Sequence, residues 1–203
     1  MRFEIAVVVP ISGEGTVHHT TALRLAEIYA LFQRLNTPVR VYFAKHYAVD
    51  ISRELGVDVA LLNGATHILF IDSDIVPESP QSVLEMLALD LPFVCGVYWE
   101  KNLRGLNLHR KRGGYPPYEN LTVVNEELKP VDACGLGFAL IDAEVFKALE
   151  KPWFSLRPYG EDAYFAEKAA EIGVKPVAYA KARAYHSLGY GLYLTPDGRL
   201  ATL

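Results

Sequence analysis

The sequence predicts an α/β domain with a mostly parallel central sheet, on three observations. Short apolar runs at Phe3–Val9, Val39–Ala44, His67–Ile71 and Phe93–Tyr98 read as buried strands. The segments between them have helical length or spacing, so strand and helix alternate, as in sheets joined by crossover helices. With 203 residues, 51% apolar and 22% charged, the chain has the size and core of one domain and is not of disordered composition.

After Phe3–Val9 comes a loop at Pro10–Gly15. A helix is predicted from about Thr16 to Leu35, with Leu25, Ile28, Tyr29, Phe32 and Leu35 on one stripe, and Asn36-Thr-Pro38 ends it. Val39–Ala44 is the second strand, and a helix from about Val49 to Asn63 leads to the third at His67–Ile71. Pro80–Leu89 reads as a short helix and Phe93–Tyr98 as the fourth strand. The alternation then breaks. Glu100–Tyr118 is polar, contains Gly and Pro, and carries Arg104, Arg110, Lys111 and Arg112. Its basic part, Lys101–Arg112, is either a solvated loop or a lid whose arginines hold a diphosphate or an anionic acceptor. Asn120–Val131 reads as a hairpin around Asn125-Glu-Glu, Val131–Ile141 as mostly strand, and Ala143–Glu150 as helix. Beyond the loop Lys151–Gly160, a helix is expected over Glu161–Ile172 and a final strand over Val174–Tyr179, before Ala182–His186. Residues 1–189 form the expected domain. The tail 190–203 holds Thr-Pro-Asp-Gly between two short apolar pieces, a hairpin or a flexible extension.

A net charge of −4 gives no general attraction for nucleic acid or anionic membrane. The opening run Met1–Pro10 is strand-like rather than a secretory leader, and no apolar run reaches a membrane span. The expectation is a cytoplasmic protein without an integral membrane segment. Cys95 and Cys134 lie inside apolar stretches and read as buried free thiols, in keeping with a reducing compartment.

Chemistry enters with His67-Ile-Leu-Phe-Ile-Asp-Ser-Asp-Ile-Val-Pro77, an apolar strand that delivers Asp72 and Asp74 at its carboxyl end. On an extended chain, side chains two residues apart point to the same face, so one divalent cation can sit between both carboxylates and a ligand. Hard oxygen donors suit magnesium or manganese, with phosphate oxygens completing the shell. Two acids after a strand are also a common cap or turn. Their position favours the metal reading, because ligands in alternating α/β folds gather at the carboxyl ends of strands. Three further features stand in order along the chain. Gly160-Glu-Asp162 opens a helix, where an acid can simply cap the amides. Ala182-Arg-Ala-Tyr-His186 ends a core segment on a histidine, and Arg53 lies in the helix before the acid-bearing strand.

Over most of residues 3–189 this ordered set resembles the glycosyltransferases of the GT-A type and is similar to their large inverting family 2. The resemblance rests on Leu62-Asn-Gly-Ala-Thr-His-Ile-Leu-Phe-Ile-Asp-Ser-Asp74, Val131-Asp-Ala-Cys-Gly-Leu-Gly-Phe-Ala-Leu-Ile141 with Glu144-Val-Phe146, Lys151-Pro-Trp-Phe154, Gly160-Glu-Asp-Ala-Tyr-Phe165 and Tyr185-His186. It implies a GT-A fold with helices on both faces of the sheet and a small antiparallel extension. It also implies transfer of a sugar from a nucleoside-diphosphate sugar, UDP- or GDP-linked, to a hydroxyl of a glycan, lipid or protein.

The resemblance assigns roles residue by residue. Asp72 and Asp74 match the metal-binding Asp-x-Asp, the first nearer ribose, and His186 matches a further metal ligand. Mixed carboxylate and imidazole ligation leans to Mn2+ over Mg2+. Asp162 matches the general base of inverting members, with Glu161 beside it. Pro10 and Ser12 match the first-strand loop at the nucleotide, and Arg53 the helix arginine next to it. Trp99, Gly135 and Gly137 are expected along the sugar and acceptor side.

Two features depart from the family. The second strand ends Tyr42-Phe-Ala-Lys-His46, without the aspartate that many members use to grip the base, and the Gln-x-x-Arg-Trp element of processive synthases is absent. Two other readings compete. Asp72-Ser-Asp-Ile-Val76 fits the Asp-x-Asp-x-Thr/Val of haloacid-dehalogenase-type phosphatases, whose first Asp is a nucleophile. Those enzymes place it on an early strand, and here three strands' worth of chain precedes it. Alternatively, the chain is a catalytically inactive nucleotide-sugar or glycan-binding module that keeps the same residues.

Overall fold

The computed structural model describes residues 4–13, 15–115, 117–156 and 158–202. Within them the order is β1 (Ile5–Ser12), α1 (His19–Arg34), β2 (Val39–His46), α2 (Val49–Leu62), β3 (His67–Ile71), β4 (Ile75–Pro77), α3 (Gln81–Ala88) and β5 (Phe93–Val97). Then follow β6 (Leu108–Lys111), β7 (Tyr118–Asn120), β8 (Leu128–Pro130), β9 (Ala133–Cys134), β10 (Phe138–Asp142), α4 (Ala143–Ala148), α5 (Glu161–Glu171), β11 (Val177–Gly189), β12 (Leu192–Leu194) and β13 (Leu200–Thr202). Phe3, expected to open the first strand, lies outside the described residues.

The main sheet runs β13-β12-β11-β5-β10-β3-β1-β2. β1 is parallel to β2 and β3, and β5 is parallel to β11. β10 is antiparallel to both β3 and β5, so it alone is reversed among the six central strands. The sheet is therefore mostly parallel at its centre. The side-chain period of two sorts each central strand between two cores. Ala6, Val8, Ile68, Phe70, Cys95 and Ile141 join Val57 and Ala60 of α2, Phe146 of α4 and Phe165 of α5. Ile5, Val7, Leu69, Ile71, Val94 and Leu140 join Leu25, Ile28 and Phe32 of α1 with Val83 and Met86 of α3. Helices thus cover both faces, which is why these strands read as unbroken apolar runs. Gly56 lets α2 press on β1: a Cβ there would stand 2.3 Å from the Val8 side chain.

Several local expectations are corrected. On α1 the buried stripe is Thr21, Leu25, Ile28, Leu31 and Phe32, while Tyr29 and Leu35 are exposed. The hairpin expected at Asn120–Val131 does not form. β7 pairs with β6, and β8 pairs with β11 across the sheet. The segment read as loop or lid contains β6 and the buried Leu106, Asn107 and Leu108, and it forms a second sheet, β7-β6-β9. Two final strand pieces are one 13-residue strand, β11. β4, absent from the expectations, pairs antiparallel with β11. The tail hairpin does form: β12 pairs with β13 and also with β11. Tyr193 and Leu194 are buried, and the Tyr193 hydroxyl lies 2.8 Å from Thr20 Oγ1, so 192–202 is part of the fold. Cys95 and Cys134 are buried free thiols. Among the described residues, no helix is long and apolar enough to cross a membrane.

Candidate active site

The acids after β3 do not continue its extended backbone. The Ile75 N–H donates to the Asp72 carbonyl at 3.0 Å, closing a turn over 72–75, after which β4 begins. Three long-range bonds fix this turn. Asp72 N–H donates to Gly137 O (3.0 Å), His18 N–H to Ser73 O (2.9 Å) and Ser187 N–H to Asp74 O (2.8 Å). The turn sends the two carboxylates to different partners.

Asp72 faces Arg53, whose fork reaches both oxygens: Nη1 lies 3.0 Å from Oδ1 and Nη2 3.3 Å from Oδ2. The same guanidinium meets Glu161 (Nε to Oε1, 3.3 Å) and Asp162 (Nη2 to Oδ1, 3.6 Å) at the start of α5. Arg53 is 1% exposed and sits over the Phe70 ring, 5.2 Å from its centroid. One buried cation thus ties the acid after β3 to the acid pair opening α5. Arg53 Nη1, Asp72 Oδ1 and Asp162 Oδ1 nonetheless lack an aligned hydrogen bond, since their close approaches are poorly directed. Burial acts to strip the Arg53 proton, but Asp72, Asp162 and Glu161 more than offset it and keep the guanidinium charged. Burial raises the proton affinity of Asp72, with Arg53 opposing. For Asp162, burial and then Glu161 push the carboxyl well above the usual range, again against Arg53. Both acids keep a little under a third of their side-chain surface, although Asp72 Oδ1 and Asp162 Oδ1 themselves are buried.

Asp74 faces the other way. Antiparallel pairing of β4 with β11 sets His186 beside Ile75, and His186 Nε2 lies 3.7 Å from Asp74 Oδ2. His186 Nδ1 is 2.9 Å from the Trp99 carbonyl, which can only accept, so Nδ1 carries the hydrogen. In the neutral ring Nε2 then presents its lone pair toward Asp74, the orientation that metal-binding histidines take. Lys101 Nζ also contacts Asp74 Oδ2. Burial acts to raise the Asp74 carboxyl, but the His186 ring in its protonated form, and Lys101, outweigh it and hold it well below the usual range.

Tyr98 and Asn107, both buried, support this arrangement. Asn107 Oδ1 accepts from Tyr98 N–H (3.0 Å), and its Nδ2 donates to Gly96 O (3.0 Å). The Tyr98 hydroxyl accepts from Gly137 N–H (3.2 Å). Gly135 and Gly137 are buried. A Cβ on Gly137 would come within 2.7 Å of that hydroxyl and 2.9 Å of Asp72 Oδ2. Trp99 is half-buried and pairs with Leu106 in an isolated bridge, with Gly198 of the tail hairpin against its ring. Pro10 is buried in β1 beside Ala44, and Ser12 ends the strand exposed beside His46. Next to Ser12 a depression of about 720 Å³ is lined by Gly13, Lys45, His46 and Tyr47.

The structure therefore brings Asp72, Arg53, Glu161 and Asp162 into one cluster, and Asp74, His186 and Trp99 into another on the adjoining turn. Among the described residues, no group of three or more His, Cys, Asp and Glu side chains is gathered tightly enough to hold an ion unaided. The donor set still fits a divalent ion in part. Asp74 Oδ2 and the Nε2 lone pair of His186 face one another, and an anionic ligand would complete the shell. Tyr98 and Asn107 carry no local signal of a site role, and Lys101 enters the sequence reading only as the first residue of the basic stretch whose arginines are the candidate ligands. Arg110 and Arg112, the arginines assigned to a lid, stand on or beside the second sheet, where Arg112 pairs with Glu119.

No family model matches the sequence, and no curated protein matches it. Among solved structures, the protein A197 from STIV is similar over 100% of this chain and 94% of its own, with a TM-score of 0.73 and 24% identity. GalNAc-T7, solved with UDP, GalNAc and Mn2+, is similar over 91% of this chain and 44% of its own (TM-score 0.57, 14% identity). A Drosophila β1,4-galactosyltransferase 7 mutant, solved with manganese, UDP-Gal and xylobiose, is similar over 99% and 71% (TM-score 0.54, 11% identity). UDP-glucose pyrophosphorylase in complex with UDP-glucose is similar over 90% and 92% (TM-score 0.53, 9% identity). At these identities the likeness establishes a fold shared with nucleotide-sugar enzymes.

Proposed function

We propose that this chain is a metal-dependent glycosyltransferase that moves a sugar from a UDP- or GDP-sugar to an acceptor hydroxyl, with inversion. The observation that carries this reading is the junction of two clusters at the carboxyl end of β3. Asp74 and His186 stand on one side, and the Arg53-tethered Asp162 on the other. A Mn2+ held by Asp74 and His186, with Asp72 alongside, would neutralise the charge that develops on a departing diphosphate.

The remaining work falls to the chain itself. Asp162 is the base: its side chain is part-exposed, and its proton affinity is raised by burial and Glu161, which strengthens it as an acceptor of the attacking hydroxyl's proton. Arg53 opposes that rise. The end of β1 at Ser12 and the depression beside it accommodate the nucleoside. Trp99 and the turn over Gly135 and Gly137 bound the sugar side.

The test is a pair of variants followed by calorimetry with UDP and GDP, with and without Mn2+, and by transfer assays. Asp74→Ala is expected to remove metal-dependent nucleotide binding. Asp162→Asn is expected to preserve that binding and lose transfer by roughly 10²–10⁴-fold. Normal turnover in Asp162→Asn would show the base to lie elsewhere. The phosphatase reading has less support, because an attacking Asp72 would be clamped by the Arg53 fork. A binding module without turnover is separated by the same calorimetry: nucleotide-sugar binding without hydrolysis or transfer.

A further inference from the structure

We propose that Lys101 is a substrate-binding residue of this site, its ammonium holding the cation's place on Asp74 in the free protein and moving to the donor's diphosphate when metal and nucleotide enter. The inference rests on the metal-dependent reading above and deepens it. Lys101 Nζ and His186 Nε2 converge on one atom, Asp74 Oδ2. That oxygen is also the one a divalent ion must take to reach His186. An ammonium and a divalent ion on the same oxygen repel strongly at such range, so the two exclude each other.

Charge supplies the drive. Among the described residues, Asp72, Asp74, Glu161 and Asp162 are met by two lysine or arginine cations, Arg53 and Lys101. The cluster therefore attracts a divalent ion while Lys101 blocks its anchor. A diphosphate arriving with the ion gives the displaced ammonium a new anionic partner. A lysine suits this task as a flexible point charge with three donors.

The geometry places the movement in the side chain. Glu100 N–H donates to Gly105 O (3.0 Å) and Leu103 N–H to Glu100 O (3.0 Å), and the Trp99–Leu106 bridge closes the base of the turn. The backbone of 100–105 is thus held, while the Lys101 side chain keeps 45% of its surface exposed. Metal and nucleotide then strengthen each other's binding through Lys101, by mutual linkage.

The experiment titrates the full chain with Mn2+, reading free Mn2+ by electron paramagnetic resonance, alone and with UDP or GDP. Lys101→Met is expected to bind Mn2+ alone about tenfold more tightly than the wild type and, at saturating Mn2+, to bind the nucleotide about tenfold more weakly, changes of the size typical of coupled sites. Lys101→Arg, which keeps the charge, is expected to stay near the wild type in the Mn2+ titration. Unchanged Mn2+ affinity in Lys101→Met would overturn the proposal, as would tighter Mn2+ with unchanged nucleotide affinity. If neither protein binds Mn2+ with nucleotide present, or if Asp74→Ala binds it equally well, the metal-dependent reading itself fails.

Discussion

Replacing Arg53 with methionine, close to it in length but uncharged, removes a cation shared by Asp72, Glu161 and Asp162. Because Arg53 is 1% exposed, the three acids lose a partner that water replaces poorly. Breaking a buried ion pair from one side costs about 3–5 kcal/mol. The lost contact with Phe70 falls within that range. For a chain of this size each kcal/mol corresponds to about 2–4 °C in Tm, so Arg53→Met should melt roughly 6–20 °C below the wild type near pH 7.5. The pH trend is a second signature. Arg53 opposes the rise in proton affinity of both Asp72 and Asp162. Without it, their folded pKa values move further above those of the unfolded chain. The folded variant then binds more protons than the unfolded chain, so it gains stability as pH falls toward the ordinary carboxyl range. Urea unfolding followed by tryptophan fluorescence at pH 7.5 and pH 5 measures both effects. A loss under about 1 kcal/mol at pH 7.5, or a deficit that does not shrink at pH 5, would refute the view that Arg53 balances these three acids.

Gly137→Ala places a methyl against the Tyr98 hydroxyl and Asp72 Oδ2. It should cost about 1–3 kcal/mol by chemical denaturation, as overpacked cores do, and weaken nucleotide binding in calorimetry through the displaced Asp72. Tyr193→Phe removes the hydrogen bond to Thr20 that docks the tail hairpin on α1. A loss of about 0.5–1.5 kcal/mol is expected, with faster amide exchange in β12 and β13.

What was legible in the sequence is what local chemistry encodes. The unbroken apolar runs of β1, β3 and β5 announce strands buried on both faces, and Asp72 and Asp74 stand just past the carboxyl end of β3 as the sequence implies. What was not legible depends on pairings distant in sequence. The period-of-two argument placed Asp72 and Asp74 on one face, but the bond from Ile75 N–H to Asp72 O turns the chain between them. That turn is stabilised by Gly137, His18 and Ser187, none of them near in sequence. Arg53 read as a helix arginine beside a nucleotide. Its burial is dictated by Glu161 and Asp162, over a hundred positions away, and no local pattern reports such a partner. β8 likewise joined β11 because β11 offered an open edge for it, whereas β7 found its partner in β6. Lys101 stood out only as the start of a basic stretch, since its significance comes from the oxygen it touches.

The most direct measurement is anomalous diffraction from crystals grown with Mn2+ and UDP or GDP. One manganese peak is expected, bonded to Asp74 Oδ2 and His186 Nε2, with diphosphate oxygens in the same shell and Lys101 moved onto the nucleotide. A nucleotide seated elsewhere, or manganese bound away from both Asp74 and His186, would contradict it.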